Sequence, residues 1–341
     1  MSSSSSTVAI AAAAHTTLSN ALTSPDASTV HDPAGLVFPE SVVISRPEEF
    51  AAKRAAMVAA GADKLQVIAD FDRTISAFRC SSGELCHASH QLLESCVGFD
   101  HADFAPKMDA INAKYFALEV DPYLTAEARA GYMLEWWHQA HELLLQQSIR
   151  KQAIDDAVAR ARASGRLELR RGATELLHQL SNLQVPCLIF SAGLRETIAA
   201  TLRAEQLAEL PGHALIGNDM KFDDTGLLVA FGDDTITSSN KNYSHVHSME
   251  PAFHAAAVAR RNVILLGDNL GDADMAQGME DIQCILRIGL LHDHVQERME
   301  QFKAAFDVVL LNDAPMDFVR ELVEAIAAGG KAPAATLSSK Q

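Results

Sequence analysis

The chain has 341 residues, 48% of them hydrophobic, enough for one core of ordinary size and a smaller appendage. Its formal charge of −16 excludes a protein built mainly to hold a nucleic-acid polymer or an anionic membrane, since both demand a basic surface. No apolar run reaches the ~20 residues of a membrane span, and an anionic substrate would need local positive charge or a metal.

The N-terminal stretch MSSSSSTVAIAAAAHTTLSNALTSPDAS carries no Lys or Arg, and the first is Arg46, so the basic n-region of a secretory signal is missing and an Arg-rich transit peptide is disfavoured. Low-complexity Ser, Ala and Thr cannot offset the entropy of ordering, so residues 1–35 are expected to be disordered, as is the tail GGKAPAATLSSKQ at 329–341.

Leu65–Ala69 is a short apolar run with strand character that ends on two acids, Asp70 and Asp72, in VIADFDRTIS. Cys80, Cys86, His87, His90 and Cys96 follow in a cluster whose spacing fits no standard zinc template; cysteines and histidines on helix faces are the plainer expectation. Five cysteines are too few and scattered for a disulfide framework, and a reducing compartment, the cytoplasm, is the simpler assignment. From residue 81 to 165 strand signals vanish. TAEARAGYMLEWWHQAHELLLQQ has apolar residues at helical spacing after a Thr125 N-cap, so this interval is predicted to be a helical cap.

Helical GATELLHQLSNLQ (172–184) precedes a buried strand in VPCLIFSAG (185–193) and a second helix over 194–207. MKFDDTGLLVAF (220–231), with Asp224-Thr225-Gly226 at its centre, predicts an antiparallel hairpin hanging from the sheet. NVILLGDNLGD (262–272) again pairs a buried strand with polar residues, and IQCILRIG, a helix over 295–302, a strand over 307–311 and a helix from Met316 close the chain. Strands alternating with helices make an α/β fold, a Rossmann-like parallel sheet of right-handed crossovers over 36–80 and 166–328, interrupted by the cap at 81–165.

Open parallel sheets bind ligands beyond the carboxyl ends of their strands, which is where the acids stand. Two carboxylates one residue apart can divide labour between nucleophile or metal ligand and proton carrier, although Asp-x-Asp pairs in acidic chains also occur in solvated loops. Ser191 and Gly193 lie between the strand run CLIF and the next helix, where backbone N–H groups and the helix dipole favour an anion. Lys241, in TSSNKNY, is a loop cation that can neutralise such an anion, and Asp268 and Asp272 in GDNLGD offer the hard oxygens that Mg²⁺ prefers.

DFDRT, FSAG, the loop lysine and GDNLGD, taken in order, resemble the haloacid dehalogenase superfamily of phosphohydrolases: its first motif matches Asp70, Asp72 and Thr74, its second Ser191, its lysine Lys241 and its acidic fourth motif Asp268 and Asp272. KYFALEVDPYLTAEARAGYMLEWWHQAHELL (114–144), NDMKFDDTGLL and SSNK bring the chain closer still to the cytosolic pyrimidine 5′-nucleotidases, over about residues 65–311. The resemblance implies Mg²⁺-dependent hydrolysis of nucleoside 5′-monophosphates, pyrimidine ones foremost, through an aspartyl-phosphate. Asp70 would be nucleophile and Asp72 acid/base; Asp70, Asp268 and the Asp72 carbonyl would hold the metal, with Asp272 in support. Ser191, the Ala192 N–H and Lys241 would bind phosphate beside Thr74 and Gly193, and Glu119 would read the base. Where the family shows Ile-Gly-Asp after FSAG this chain has Leu194-Arg195-Glu196; Ala140 stands for a Ser near the base, and Asn269 for a Ser in the fourth motif. Action on another small phosphomonoester, transfer of phosphate to a nucleoside, or a noncatalytic nucleotide-binding role are the alternatives, and the oligomeric state is not legible.

Overall fold

The computed structural model describes residues 39–97, 103–119, 121, 123–238 and 240–329. The residues expected to be disordered at 1–35, and 330–341 of the tail, lie outside that range; Gly329, placed with the tail from sequence, is the last residue of the final helix.

In chain order the elements are β1 (Val42–Ile44), α1 (Pro47–Ala60), β2 (Leu65–Ala69), α2 (Ser89–Glu94), α3 (Phe104–Glu119), α4 (Ala126–Leu145), α5 (Lys151–Ala163), α6 (Ala173–Asn182) and β3 (Cys187–Leu194). There follow α7 (Arg195–Ala204), β4 (His213–Asn218), β5 (Met220–Phe222), β6 (Leu228–Phe231), α8 (Ser244–Met249), α9 (Pro251–Ala257) and β7 (Asn262–Gly267). The chain closes with β8 (Cys284–Leu291), α10 (Val295–Ala305), β9 (Val308–Leu311) and α11 (Asp317–Gly329).

The main sheet has the order β1-β9-β8-β7-β2-β3-β4, parallel throughout except for β1, which pairs antiparallel with β9. From β2 the chain builds outward through β3 and β4, then returns to lay β7 on the opposite side of β2, so the order reverses beside β2. That is the topological switch point at which open α/β sheets form their ligand crevice. Strands covered on both faces carry apolar residues at consecutive positions: Val67, Ala69, Ile189, Ile264 and Leu266 pack with Leu176, Val319 and Leu322 on one face, and Ile68, Leu188, Phe190, Val263 and Leu265 with Phe253, Phe302 and Phe306 on the other.

The helices between β2 and β3 build a third core in which Leu92, Leu93, Met108, Leu143, Leu144, Ile154 and Val158 pack with Leu194 and Ala200. Thr125 caps α4 as expected, its hydroxyl accepting from Ala128 N at 3.2 Å. The β5–β6 hairpin forms, yet it makes a separate two-stranded sheet instead of hanging from the main one. Its Met220 and Leu228 join the third core, and Leu228 N donates to Ile149 O at 2.8 Å, because the residues before α5 offer it both apolar surface and backbone partners.

Cys80 and Cys86 are joined in a disulfide, against the expectation of unpaired helix-face cysteines. The reason is local: Gly83 N donates to Cys80 O and Cys80 N to Glu84 O, a tight turn that brings the two Cα atoms to 5.4 Å. With Cys96 Sγ donating to the Leu92 and Ala153 carbonyls, no zinc cluster forms among the described residues.

Candidate active site

Register delivers the site. Ala69 pairs with Ile189 on one side and Leu266 on the other, so the residues just beyond them, Asp70, Ser191 and Asp268, leave three adjacent strands side by side. Asp70 N still donates to Leu266 O at 2.9 Å, which anchors the first acid before the chain turns away. The turn places Arg73 at φ 61°, a left-handed conformation that costs a non-glycine residue on the order of 1 kcal/mol. Arg170, 2% exposed, offsets this cost: its guanidinium donates to Thr74 O at 2.7 Å, Arg73 O at 2.5 Å and Asp313 Oδ1 at 2.7 Å. Thr74 itself is buried beneath the loop.

The Ser191–Gly193 stretch differs from the expected strand-to-helix turn. β3 stays extended to Leu194, with a register break after Phe190, and the N–H groups of Gly193 and Leu194 already donate, to Ser191 Oγ at 2.9 Å and Ser89 Oγ at 3.3 Å. The small residues therefore bulge the strand toward the cavity. At β7 a Cβ on Gly267 would overlap the Asp272 carboxylate, so glycine alone lets Asp272 fold back beneath the strand end, where Asn269 N donates to its Oδ2 at 2.9 Å.

Lys241 enters from the loop before α8, 4% exposed, and its ammonium donates to Asp70 Oδ1 at 2.5 Å and Asp272 Oδ1 at 2.8 Å. Carboxylate oxygens of Asp70, Asp268 and Asp272 lie within 4.8 Å of one another. Three acids around one ammonium leave negative charge uncompensated. Burial accordingly raises Asp70 well above the usual range, with Lys241 opposing and the Asp272 and Asp268 charges adding; burial and the Asp272 charge push Asp268 up to about 7. Burial also raises Asp72, while two hydrogen bonds from Ser89 pull the other way. Desolvation works against the charged form of Lys241, yet Asp272 and Asp70 hold it above its ordinary value.

These groups line a cavity of about 260 Å³ that also takes in Asp72, Arg73, Ser191, Ala192, Gly193 and Asn269. The inserted helices supply further lining: His90 and Glu94 of α2, Asn112 of α3, and Met133, Trp136, Trp137 and Ala140 of α4. Spacings of four on α2, and of three, four and seven on α4, put each set on one helix face. Trp136 Nε1 donates to Asn112 Oδ1 at 3.0 Å, and the His90 and Trp137 rings meet at 3.9 Å between centroids. Burial, with the Asp109 charge, pushes Glu94 up to about 7, and burial beside His141 holds His90 well below the usual histidine range.

Asp70, Asp72, Ser191, Ala192, Gly193, Lys241, Asp268 and Asp272 thus converge on one cavity, and Thr74 supports it from below. Glu119 is the last residue of α3, and its side chain lies outside the described residues. Phe116 stands 57% exposed on α3 and is absent from the cavity lining. Sequence reasoning missed Ser89, Glu94, Asn112 and Arg170. For Glu94 the only available signal was its spacing of four from His90 in HQLLE.

The chain matches the model of the family described as pyrimidine 5′-nucleotidase (UMPH-1) over residues 73–327. It is 36% identical to a 7-methylguanosine phosphate-specific 5′-nucleotidase of Gallus gallus, over 84% of this chain and 96% of the relative, and 34% identical to the Homo sapiens protein of that name, over 79% and 87%. Among solved structures it superposes on cytosolic 5′-nucleotidase IIIB bound to cytidine with a TM-score of 0.76 at 30% identity, covering 86% of this chain and 96% of that one.

Proposed function

Because the chain belongs to the pyrimidine 5′-nucleotidase family, and so is a phosphomonoester hydrolase of the haloacid dehalogenase type, we propose that it hydrolyses nucleoside 5′-monophosphates through an aspartyl-phosphate on Asp70. The observation that carries the reading is the buried Lys241 ammonium between Asp70 and Asp272, in the same cavity as Glu94 and the tryptophans. The first set suits a phosphate and the second an aromatic base.

In this reading Asp70 Oδ attacks phosphorus and the bond from phosphorus to the ribose O5′ breaks, while Asp72 hands its proton to that oxygen. Water then attacks the acyl-phosphate, Asp72 takes up the water's proton, and inorganic phosphate leaves with Asp70 restored. Ser191 Oγ, the Ala192 N–H and Lys241 hold the phosphate oxygens, and their value lies in being fixed before charge develops. The uncompensated acids fit a divalent cation with hard oxygen ligands: Asp70, Asp268 and the Asp72 carbonyl would hold Mg²⁺, with Asp272 behind them. When bound, Mg²⁺ supplies positive charge that offsets repulsion between nucleophile and phosphate.

The helices 81–165 act as a cap that closes over the base. Asn112 lines the cavity, and Glu119, the last residue of α3, is the base reader that the family resemblance implies. Pyrimidine nucleotides lead this reading. The indoles of Trp136 and Trp137 with the Glu94 carboxyl favour a second, since a ring carrying positive charge, as in 7-methylguanosine monophosphate, gains from both. A cytoplasmic location accords with the cytosolic relative, while the Cys80–Cys86 bridge pulls the other way.

Phosphate release from CMP, UMP, GMP and 7-methylguanosine monophosphate, with and without Mg²⁺, tests the whole reading. Mg²⁺-dependent turnover led by CMP or by the methylated nucleotide is expected. Release confined to non-nucleotide esters would overturn the substrate, and phosphate passed to added nucleoside in preference to water would make the enzyme a transferase.

A further inference from the structure

Asp72 has both carboxylate oxygens occupied by one residue. Ser89 N donates to Oδ1 at 2.8 Å and Ser89 Oγ donates to Oδ2 at 2.5 Å. Ser89 is not part of the strand ends that carry the acids; it opens α2, the helix that also carries His90 and Glu94 to the cavity. Its hydroxyl is itself oriented, because Leu194 N donates to Ser89 Oγ at 3.3 Å and so leaves the hydroxyl hydrogen to point at Asp72. Ser89 is 1% exposed, and the backbone beside it makes room for the pair: a Cβ on Gly193 would overlap Ser89 Oγ and stand 2.7 Å from Asp72 Oδ2.

We propose that Ser89 is the positioning residue of the proton-transfer step, a two-point clamp from the inserted helices that holds the Asp72 carboxyl at the angle from which it serves the ribose oxygen. The inference rests on Asp72 being the acid/base, as proposed above. A carboxyl on a two-torsion side chain beside a cavity would otherwise sample several rotamers, and its proton would be within reach of the leaving oxygen for only part of the time. Clamping both oxygens removes that freedom and leaves phosphate binding and nucleophilic attack to other residues. The helix that meets the base thereby also aligns the acid that releases the nucleoside.

The test is the kinetics of Ser89→Ala, Asp72→Asn and the double variant, each with CMP (or whichever nucleotide the panel ranks first) and with p-nitrophenyl phosphate, whose leaving group scarcely needs a proton; the burst of nucleoside or p-nitrophenol release is followed alongside the steady state, because both substrates share the hydrolysis of the aspartyl-phosphate and only the burst reads the first step. Ser89→Ala is expected to lower the burst rate with the nucleotide about tenfold with KM within about twofold, and to lower the p-nitrophenol burst rate by no more than about twofold. In the Asp72→Asn background the same substitution should cost nothing further, since Ser89 acts only through Asp72. Equal losses of burst rate on both substrates, or a full additional loss in the double variant, would overturn the clamp and make Ser89 a docking contact of α2. Should Ser89→Ala fail to fold, Ser89→Cys, nearly isosteric and a weaker donor, carries the same contrast. The reading of Asp72 fails separately: Asp72→Asn alone would then show no preference between the two leaving groups.

Discussion

Lys241 Nζ stands 2.5 Å from Asp70 Oδ1, closing a contact between residues 171 positions apart in the chain. The same ammonium reaches Asp272, so one buried cation is shared by two buried acids. Lys241→Met leaves both carboxylates without their partner, and breaking a buried pair from one side costs roughly 3–5 kcal/mol. Chemical denaturation in chelator should register a loss of that order, reduced when Mg²⁺ is added, and turnover should fall by at least about a hundredfold. Lys241→Arg should restore little, because the planar guanidinium does not fit a site built around a point charge. A fully active Arg variant would mean that the position supplies only general positive charge.

Asp70→Asn should abolish turnover while preserving the fold, since an amide forms no acyl-phosphate. Burial already disfavours the Asp70 carboxylate, so in the presence of chelator the variant should denature at or above the wild-type midpoint. Mg²⁺ should stabilise the wild type more than the variant, and chelator should remove wild-type activity reversibly. Turnover near wild type in the variant, or full activity of the wild type in excess chelator, would sink the nucleophile or the metal respectively.

Glu119→Gln or Ala should raise KM for nucleotides and compress the ranking of bases, with p-nitrophenyl phosphate hydrolysed almost as before. The measurement is kcat/KM over the four nucleotides and the small ester. An unaltered ranking would assign base selection to Glu94, Asn112 and the α4 tryptophans instead.

Glu94 gives a prediction in pH. Its folded-state value is about 7 against an ordinary 4.5, raised by burial and then by Asp109. Between those values the unfolded chain binds fewer protons than the folded one, so the stability associated with neutral Glu94 is complete below 4.5 and is lost as pH rises to 7. Denaturant midpoints at pH 5 and pH 7.5 should therefore fall further in the wild type than in Glu94→Gln, by on the order of 2 kcal/mol after allowance for partial exposure. Identical pH dependence in the two proteins would remove Glu94 from the cavity's electrostatics.

The two halves of the site were unequally legible in the sequence, for a physical reason. Asp70 and Asp268 could be found because each follows an apolar run at a strand end, and a parallel sheet aligns its strand ends by backbone hydrogen bonds whatever the side chains are; Ser191, at the end of CLIF, is legible for the same reason. The α/β class, the helical insertion, the hairpin and the Thr125 cap followed from equally local patterns. β1 and β4 escaped notice because three apolar residues, alone or flanked by His213 and Gly217-Asn218, differ little from loop. The base-facing wall depends on how α2, α3 and α4 pack around the third core, so nothing in HQLLE or NAKYF announces that Glu94 and Asn112 meet Trp137 across one cavity. The Cys80–Cys86 bond arises from the path of one turn, the docking of the hairpin on the inserted helices from surface that exists only after they fold, and the Ser89–Asp72 clamp from a bulge at Gly193 that tertiary packing alone creates. Sequence periodicity determined which residues lie at strand ends and on helix faces; the relative placement of those faces, set by long-range packing, decided which of them share a site.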